Sequence, residues 1–214
     1  MASKTDNFSF KAALTDLPRG EPVTAALLRK HGATTSHASW MARHGWLQRL
    51  GNDAYLLPGD TLTREGALAY LSARIPGFHV GSRTALAWRG VRHNLEATDS
   101  LTLWGERSAR LPAWFAERFS AHYQVTRLFD SGMPTNLGLQ PMPAGRPDVL
   151  VSVPERALLE LLSDVGKQVT LETARQLTES LRNLRAPVLD QLLSHATRIK
   201  VVRLAALLAD DVAT

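Results

Sequence analysis

The chain has 214 residues, no cysteine and a formal net charge of +5, with 44% hydrophobic and 21% charged residues. This composition is typical of a globular protein, and the lack of cysteine excludes disulfides and thiolate metal sites. Lys4 and Asp6 interrupt the start where a signal peptide would be apolar, and Arg203 interrupts the most apolar run, Val201–Ala209. We therefore expect a cytoplasmic protein without a membrane segment, whose basic balance favours nucleic acid as a partner.

The first sixty residues are divided into short elements by Pro18–Gly20, Gly32, Gly45 and Leu57–Gly59. The spacing of one helical stripe is found before the first break, at Phe10, Ala13, Leu14 and Leu17. Pro22 and Gly32 are typical of the beginning and end of a second helix. A third helix is expected to be capped by Thr35 or Ser36 and to end at Gly45.

Two short strands are predicted next, at Trp46–Leu50 and Ala54–Leu57, because the intervening Gly51-Asn52-Asp53 has the composition of a tight turn. Three helices followed by a hairpin is the order of a winged helix. The connection Gly32-Ala33-Thr34 has the length that a helix-turn-helix needs. We predict a winged helix-turn-helix DNA-binding domain in residues 1–59 and a second domain in residues 60–214.

The second domain is expected to combine a small sheet with helices. Helices are predicted at Leu62–Arg74 and Ser82–Gly90, and strands at Ser100–Trp104, Ala121–Arg127 and Val149–Val153. Residues 130–147 are rich in glycine and proline, which predicts a loop. Further helices are predicted from Pro154 to about Val165 and at Thr170–Leu184, Pro187–His195 and Thr197–Ala209. The predicted fold class is α+β, with an N-terminal winged helix-turn-helix followed by a mixed domain that has a small sheet and a helical C-terminal part.

The third helix carries the candidate DNA contacts. Ala38, Met41 and Ala42 lie at i, i+3 and i+4 and are expected to face the core. The opposite face presents hydroxyl, imidazole, indole and guanidinium groups, which suit base edges, on Ser36, His37, Ser39, Trp40 and Arg43. For Trp40 both a core position and a groove-facing position remain open.

The predicted hairpin supplies two further candidates, Arg49 and Asn52, which are expected to reach a phosphate beside the groove. Residues Thr34–Leu50 contain no acidic residue, and this favours the approach of a DNA backbone. A protein–protein role for the winged helix is the alternative.

No catalytic or cofactor signature is found in the second half. Phosphate-binding glycine loops, zinc-protease motifs, hydrolase nucleophile motifs and dinucleotide fingerprints are all missing, so we predict no enzyme and no cofactor. His37 and His44 lack the companions of a coordinating set, so we predict no metal site. Asp148 leaves a nuclease as an alternative, although Asp164 and Lys167 have the wrong spacing for the second element of such a site.

Two structural predictions concern the helical part. Ser152-Val153-Pro154-Glu155 has the sequence of a capping box, and Leu158, Leu161, Leu162 and Val165 form an apolar core stripe.

The helical part also bears on binding partners. The helices offer more apolar surface than a small sheet hides, which favours a protein partner or a dimer. Arg198, Lys200 and Arg203 form either a solvated face or a second contact for an acidic surface.

The chain resembles the AbiEi family, the antitoxins of type IV toxin–antitoxin systems, from about residue 8 to 210. Three segments carry the resemblance: GWLQRL with AYLLP at residues 45–58, GSRTALAWRGV at residues 81–91, and SVPERALLEL at residues 152–161. The order of all three segments is more specific than any one of them.

The resemblance implies a transcriptional autorepressor that binds inverted repeats in its own promoter, with a dimer on DNA as one possible arrangement. It also implies that the C-terminal domain counteracts a nucleotidyltransferase-like toxin, AbiEii, without forming a stable complex. The alternative is a stand-alone winged-helix regulator with a ligand-binding or dimerising C-terminal domain.

Overall fold

The computed structural model describes residues 15–91, 100–125 and 127–213. The elements are, in chain order, α1 (Ala25–Lys30), α2 (Thr35–Arg43), β1 (Gln48–Gly51), β2 (Ala54–Leu56), α3 (Arg64–Ser72), β3 (His79–Val80), α4 (Ser82–Trp88), β4 (Leu101–Trp104), α5 (Ala113–Ala116), β5 (Ala121–Gln124), β6 (Leu139–Pro141), β7 (Leu150–Ser152), α6 (Pro154–Ser163), α7 (Leu171–Glu179), α8 (Ala186–Ser194) and α9 (Ile199–Ala213). Most of the predicted first helix lies outside the described residues. None of the helices in these ranges combines the length and the apolarity that crossing a bilayer requires.

The described chain forms two compact units. The first contains the residues up to Leu71 and the segment Pro112–Arg118, and the second contains the rest. The core of the first unit is drawn from both helices, the hairpin and the segments beside them: Leu17, Val23, Leu28, Ala33, Ala38, Met41, Leu47, Tyr55 and Leu57. The two helices followed by an antiparallel hairpin agree with the predicted winged helix.

One extended residue adds to the hairpin of this unit. Val23 and Tyr55 exchange backbone hydrogen bonds of 2.8 and 2.9 Å, so the segment before α1 lies beside β2. The short helix α5 packs against β1, and its Trp114 ring meets Tyr70 edge-on at a centroid distance of 5.3 Å. Helix α5 was not predicted, because its four residues are too few to show a helical period.

The second unit is built on a five-stranded mixed sheet in the order β5-β4-β3-β7-β6. Strands β4 and β5 are parallel, β3 is parallel to β7, and the other two pairs are antiparallel. The prediction of a loop throughout residues 130–147 was wrong for β6. Its residues Leu139 and Gln140 pair with Ser152 and Val151, a partnership that local sequence does not encode.

Helix α6 lies at the centre of the second unit. Every residue from Glu155 to Ser163 is buried, and the helix packs against α4, α7, α8 and α9. The predicted apolar stripe Leu158, Leu161, Leu162 and Val165 is buried, as expected. The remaining faces are also covered, which places two glutamates and an arginine of α6 inside the protein.

The predicted capping box of α6 was wrong. Val153 is the N-cap residue and no side chain caps the helix. Glu155 instead accepts hydrogen bonds from the backbone and side chain of Arg185, at 2.7 to 3.0 Å. The Ser152 hydroxyl donates to Glu160, within 3.0 Å of both carboxylate oxygens. The two polar side chains are used for long-range contacts, which a local capping pattern cannot show.

Glu160 joins the two later segments of the family resemblance. Its carboxylate accepts hydrogen bonds from His79 Nε2 at 2.9 Å, Arg156 Nε at 2.9 Å and the Ser82 amide at 3.0 Å. Burial by itself would raise the pKa of Glu160, but the charges of His79 and Arg156 and the hydrogen bonds from His79 and the Ser82 amide hold it below the ordinary value. The carboxylate therefore ties β3, the beginning of α4 and β7 to the central helix.

Candidate nucleic-acid interface

Helix α2 divides sharply into a buried and an exposed face. Ala38 and Met41 are 1% and 2% exposed, and the partly buried Ala42 packs against the same core. All five side chains predicted to read DNA on this helix are exposed: Ser36, His37, Ser39, Trp40 and Arg43. Trp40 is 47% exposed, so the alternative that it is a core residue was wrong.

The beginning of α2 is fixed by a reciprocal cap. The N-cap is Thr34, one residue before the predicted Thr35 or Ser36. The Thr34 hydroxyl accepts a hydrogen bond from the His37 amide at 3.2 Å, and His37 Nδ1 accepts from the Thr34 amide at 3.3 Å. This pairing satisfies two amides of the first turn and restrains the His37 ring on the exposed side of the helix.

The end of α2 carries an aromatic stack that sequence reasoning missed. The rings of Trp40 and His44 lie 4.3 Å apart between centroids with an interplanar angle of 28°. His44 Nδ1 lies 2.8 Å from the Trp40 carbonyl oxygen, and both side chains are exposed. The i, i+4 spacing from Ser36 through Trp40 to His44 was visible in the sequence. It was overlooked because His44 was considered only as a metal ligand.

The hairpin places its two predicted contacts at the surface of the same unit. Arg49 and Asn52 are both exposed, and Arg49 Nε lies 3.4 Å from the Gly51 carbonyl oxygen. The turn residue Asp53 has a φ of 55°, a left-handed conformation that aspartate tolerates better than most residues. Its carboxylate accepts a hydrogen bond from the Ala25 amide at 2.8 Å, which links the wing turn to the first turn of α1.

The segment that contains α2 has several basic residues and no acidic residue. No acidic residue occurs between Glu21 and Asp53, whereas that stretch contains Arg29, Lys30, Arg43 and Arg49. Arg29 and Lys30 lie exposed in the last turn of α1. The Asp53 carboxylate is engaged by a helix amide, which offsets part of its repulsion of phosphates. This distribution suits contact with a DNA backbone.

Asp148, considered for a nuclease site, and Arg89, in the second segment of the family resemblance, both have hydrogen-bond partners within the second unit. Asp148 is bound through both oxygens by Arg146, at 2.9 and 2.8 Å, and the Arg146 hydrogen bond lowers the pKa of Asp148. Arg89 is partly buried, donates to the Ser152 carbonyl oxygen at 3.0 Å, and has a pKa lowered by burial. Among the described residues no group of three potential metal-ligating side chains comes together.

Two family models together match almost the whole chain. Residues 6–97 match the N-terminal domain of a transcriptional regulator described as an AbiEi antitoxin. Residues 98–214 match the model described as a transcriptional regulator, AbiEi antitoxin, of a type IV toxin–antitoxin system. A comparison with curated proteins finds no match.

A solved structure has the same fold. It is the crystal structure of the RV2827C protein from Mycobacterium tuberculosis, with a TM-score of 0.59 and 17% sequence identity. The likeness covers 98% of this chain and 78% of that one. At this identity it supports the α+β fold and carries no information about ligands.

Proposed function

This chain belongs to the AbiEi family of antitoxin transcriptional regulators, and we propose that it represses its own promoter by binding duplex DNA through the first unit. The observation that carries the proposal is the exposed face of α2. It presents hydroxyl, imidazole, indole and guanidinium groups opposite a buried apolar face. These are groups that hydrogen-bond to base edges in the major groove.

In the proposed binding mode α2 enters the major groove and the hairpin contacts the backbone. Ser36, His37, Ser39, Trp40 and Arg43 face the bases, with Arg43 suited to the two acceptors of guanine. Arg49 and Asn52 contact phosphates. Residues 1–59 form the DNA-binding domain in this proposal, and residues 60–214 form the antitoxin domain.

Inverted repeats in the promoter are the proposed operator, with one first unit on each half-site. A two-fold operator is matched by two copies of the protein. Support for a contact between copies comes from α9, where Ile199, Val202 and Leu207 are 68%, 38% and 46% exposed. A dimerising second domain, with no toxin partner, is the alternative function that the same surface favours.

The second part of the proposal is antitoxin activity. The functional partner would be a nucleotidyltransferase-like toxin encoded beside this gene and counteracted without a stable complex. The protein would itself be non-catalytic and act in the cytoplasm. Family membership supports the antitoxin role, and the choice of toxin extends beyond it. Co-expression with the neighbouring toxin gene tests this part: growth is restored by an antitoxin and is not restored by a stand-alone regulator.

The experiment for DNA binding compares the promoter fragment with random duplex of equal length, at low and physiological salt. We expect tight promoter binding that survives physiological salt and excess random competitor. Equal affinity for both duplexes that disappears with salt would reduce the site to a nonspecific basic surface. That result would instead favour a protein-binding role for the winged helix.

The matched control is the variant Arg182→Ala, which removes one exposed cation from the second unit, between α7 and α8. It changes the net charge as much as Arg43→Ala does. If both variants lose promoter affinity to the same extent, the loss reflects total charge rather than the α2 face. Size measurement in solution, with and without promoter DNA, then distinguishes two copies assembled on DNA from a dimer formed beforehand.

A further inference from the structure

We propose that His44 is a base-reading residue that selects an amino base, adenine or cytosine, at one position of the operator. The inference rests on the proposed DNA-binding function and specifies which bases one part of α2 recognises. His44 lies immediately after α2, and its role follows from the contacts that fix its imidazole ring.

The tautomer of His44 is fixed by its own helix. Nδ1 lies 2.8 Å from the Trp40 carbonyl oxygen. A carbonyl oxygen only accepts hydrogen bonds, so Nδ1 carries a proton. In the neutral ring Nε2 is then an acceptor, and no described residue donates a hydrogen bond to it. The contact that ends α2 therefore leaves Nε2 of this exposed side chain as an acceptor without a donor in the described part of the chain.

The ring is also held in place before any ligand binds. It stacks on Trp40 at a centroid distance of 4.3 Å, while Nδ1 holds the carbonyl oxygen of the same residue. Two contacts to one residue leave the imidazole few other orientations. Little side-chain entropy remains to be lost when it meets a base. Pre-organisation of this kind is what a reading group needs, and a phosphate contact does not require it.

His37 provides a contrast on the same helix. Its Nδ1 accepts a hydrogen bond from the Thr34 amide at 3.3 Å, so the neutral His37 ring carries its proton on Nε2. The two histidines thus have opposite tautomers. They are seven residues apart, about 10 Å along the helix, and therefore face different base pairs.

The chemistry of the major groove converts this tautomer into a base preference. Adenine and cytosine present amino donors there, whereas guanine and thymine present only acceptors among their polar atoms. A neutral Nε2 acceptor pairs with the amino bases and is opposed by the acceptors of the other two. We expect a preference of about five- to tenfold for adenine or cytosine on the strand that His44 faces.

The test is selection of binding sites from a random duplex library with the full-length protein at about pH 8, where imidazole is ordinarily neutral. Wild type is compared with His44→Ala and with His122→Ala, an exposed histidine of β5 in the second unit, as the matched control. We expect wild type to yield a consensus in which one position prefers adenine or cytosine. That preference should disappear in His44→Ala and persist in His122→Ala.

Binding to single duplexes completes the test. Exchanging the two bases of that pair moves the amino group to the other strand. We expect the exchange to weaken wild type about five- to tenfold and to leave His44→Ala unchanged. Thermal unfolding of each variant shows whether the end of α2 is intact. A merely structural role predicts equal losses on both duplexes together with a lower melting temperature of His44→Ala.

The outcomes separate the two levels of the proposal. If wild type selects no consensus, the DNA-binding function itself fails. If wild type selects a consensus that His44→Ala reproduces at every position, only the role of His44 fails. A lost preference for guanine or thymine, or nitrogen NMR shifts showing the proton of free His44 on Nε2, would overturn the acceptor assignment.

Discussion

Glu160 and His79, separated by 81 positions in the sequence, form a buried hydrogen bond of 2.9 Å between Oε1 and Nε2. The other ring nitrogen, Nδ1, lies 2.8 Å from the Gly77 carbonyl oxygen, which is also an acceptor. Both ring nitrogens of His79 therefore lie within hydrogen-bond distance of an oxygen acceptor. The centre of the second unit contains a buried carboxylate held by His79 and by the cation of Arg156.

Glu160→Gln should strongly destabilise the second unit. The substitution leaves Arg156 and His79 buried beside a neutral amide, and breaking a buried ion pair from one side costs about 3–5 kcal/mol of unfolding free energy. Urea unfolding at neutral pH measures the change. The control is Glu179→Gln, an exposed position where the effect should stay within about 0.5 kcal/mol. Equal effects at the two positions would contradict the central role of the carboxylate.

The same carboxylate predicts how stability depends on pH. Burial alone would raise the pKa of Glu160, but His79 and Arg156 keep it below the ordinary value of about 4.3. The unfolded chain therefore binds this proton more readily than the native chain. The stabilisation is complete above the ordinary pKa and is lost as the pH falls through the native one.

Unfolding free energy measured between about pH 5 and 3 should consequently fall more steeply in wild type than in Glu160→Gln. Asp164, whose pKa is raised mainly by burial and further by the charge of Glu160, acts in the opposite direction. Burial acts on Asp164 in both proteins, so only the smaller part due to Glu160 differs between the two curves. Parallel curves would show that Glu160 does not contribute to acid unfolding.

Gly81→Ala should destabilise the fold through close approach. A Cβ atom at this position would collide with Glu160 Oε2 and would lie 2.8 Å from Cδ1 of Trp104. Both neighbours are buried, so relief requires movement of packed groups, at a cost of about 1–3 kcal/mol. Gly132→Ala is the control, because its nearest neighbour would be the more exposed Asp130 at 3.2 Å. Similar melting temperatures for the two variants would contradict this prediction.

Alanine substitutions at Arg43 and Arg49 should weaken DNA binding in two different ways. Arg43→Ala should weaken the binding free energy for the operator by about 1–3 kcal/mol and remove the base preference at one base pair, because a bidentate base contact is lost. Arg49→Ala should weaken binding to all sequences alike and lower the slope of log affinity against log salt by about one. Salt titrations on operator and point-substituted duplexes distinguish the two. Unchanged operator affinity of Arg43→Ala would remove Arg43 from the site.

The nuclease alternative predicts cleavage that depends on Asp148. Arg146 occupies both oxygens of this carboxylate, and the hydrogen bond with Arg146 keeps its pKa low. We therefore expect no cleavage of supercoiled plasmid by the purified protein with Mg²⁺ or Mn²⁺. Cutting that Asp148→Asn abolishes would restore the enzymatic alternative and contradict a purely regulatory role.

Local patterns predicted much of the candidate site. The buried positions of α2 were set by the spacing of Ala38, Met41 and Ala42, and the exposed positions followed from the same 3.6-residue period. The exposure of Trp40 was left open because a large aromatic side chain is compatible with either face. In the structure Trp40 lies on the exposed face and stacks on His44, and this contact depends on side-chain conformations that a sequence pattern does not specify.

The sequence by itself determined the helices and hairpin around α2, the buried and exposed faces of α2, the acid-free charge around it and the family, because these depend on residues close together in the chain. Tertiary structure alone decided the strand β6, the partners of Glu155 and Glu160, and the burial of every face of α6. Those features arise from contacts between distant segments. Whether Ser152 and Glu155 cap a helix or bind a remote partner depends on which groups folding brings beside them, and local periodicity carries no record of that.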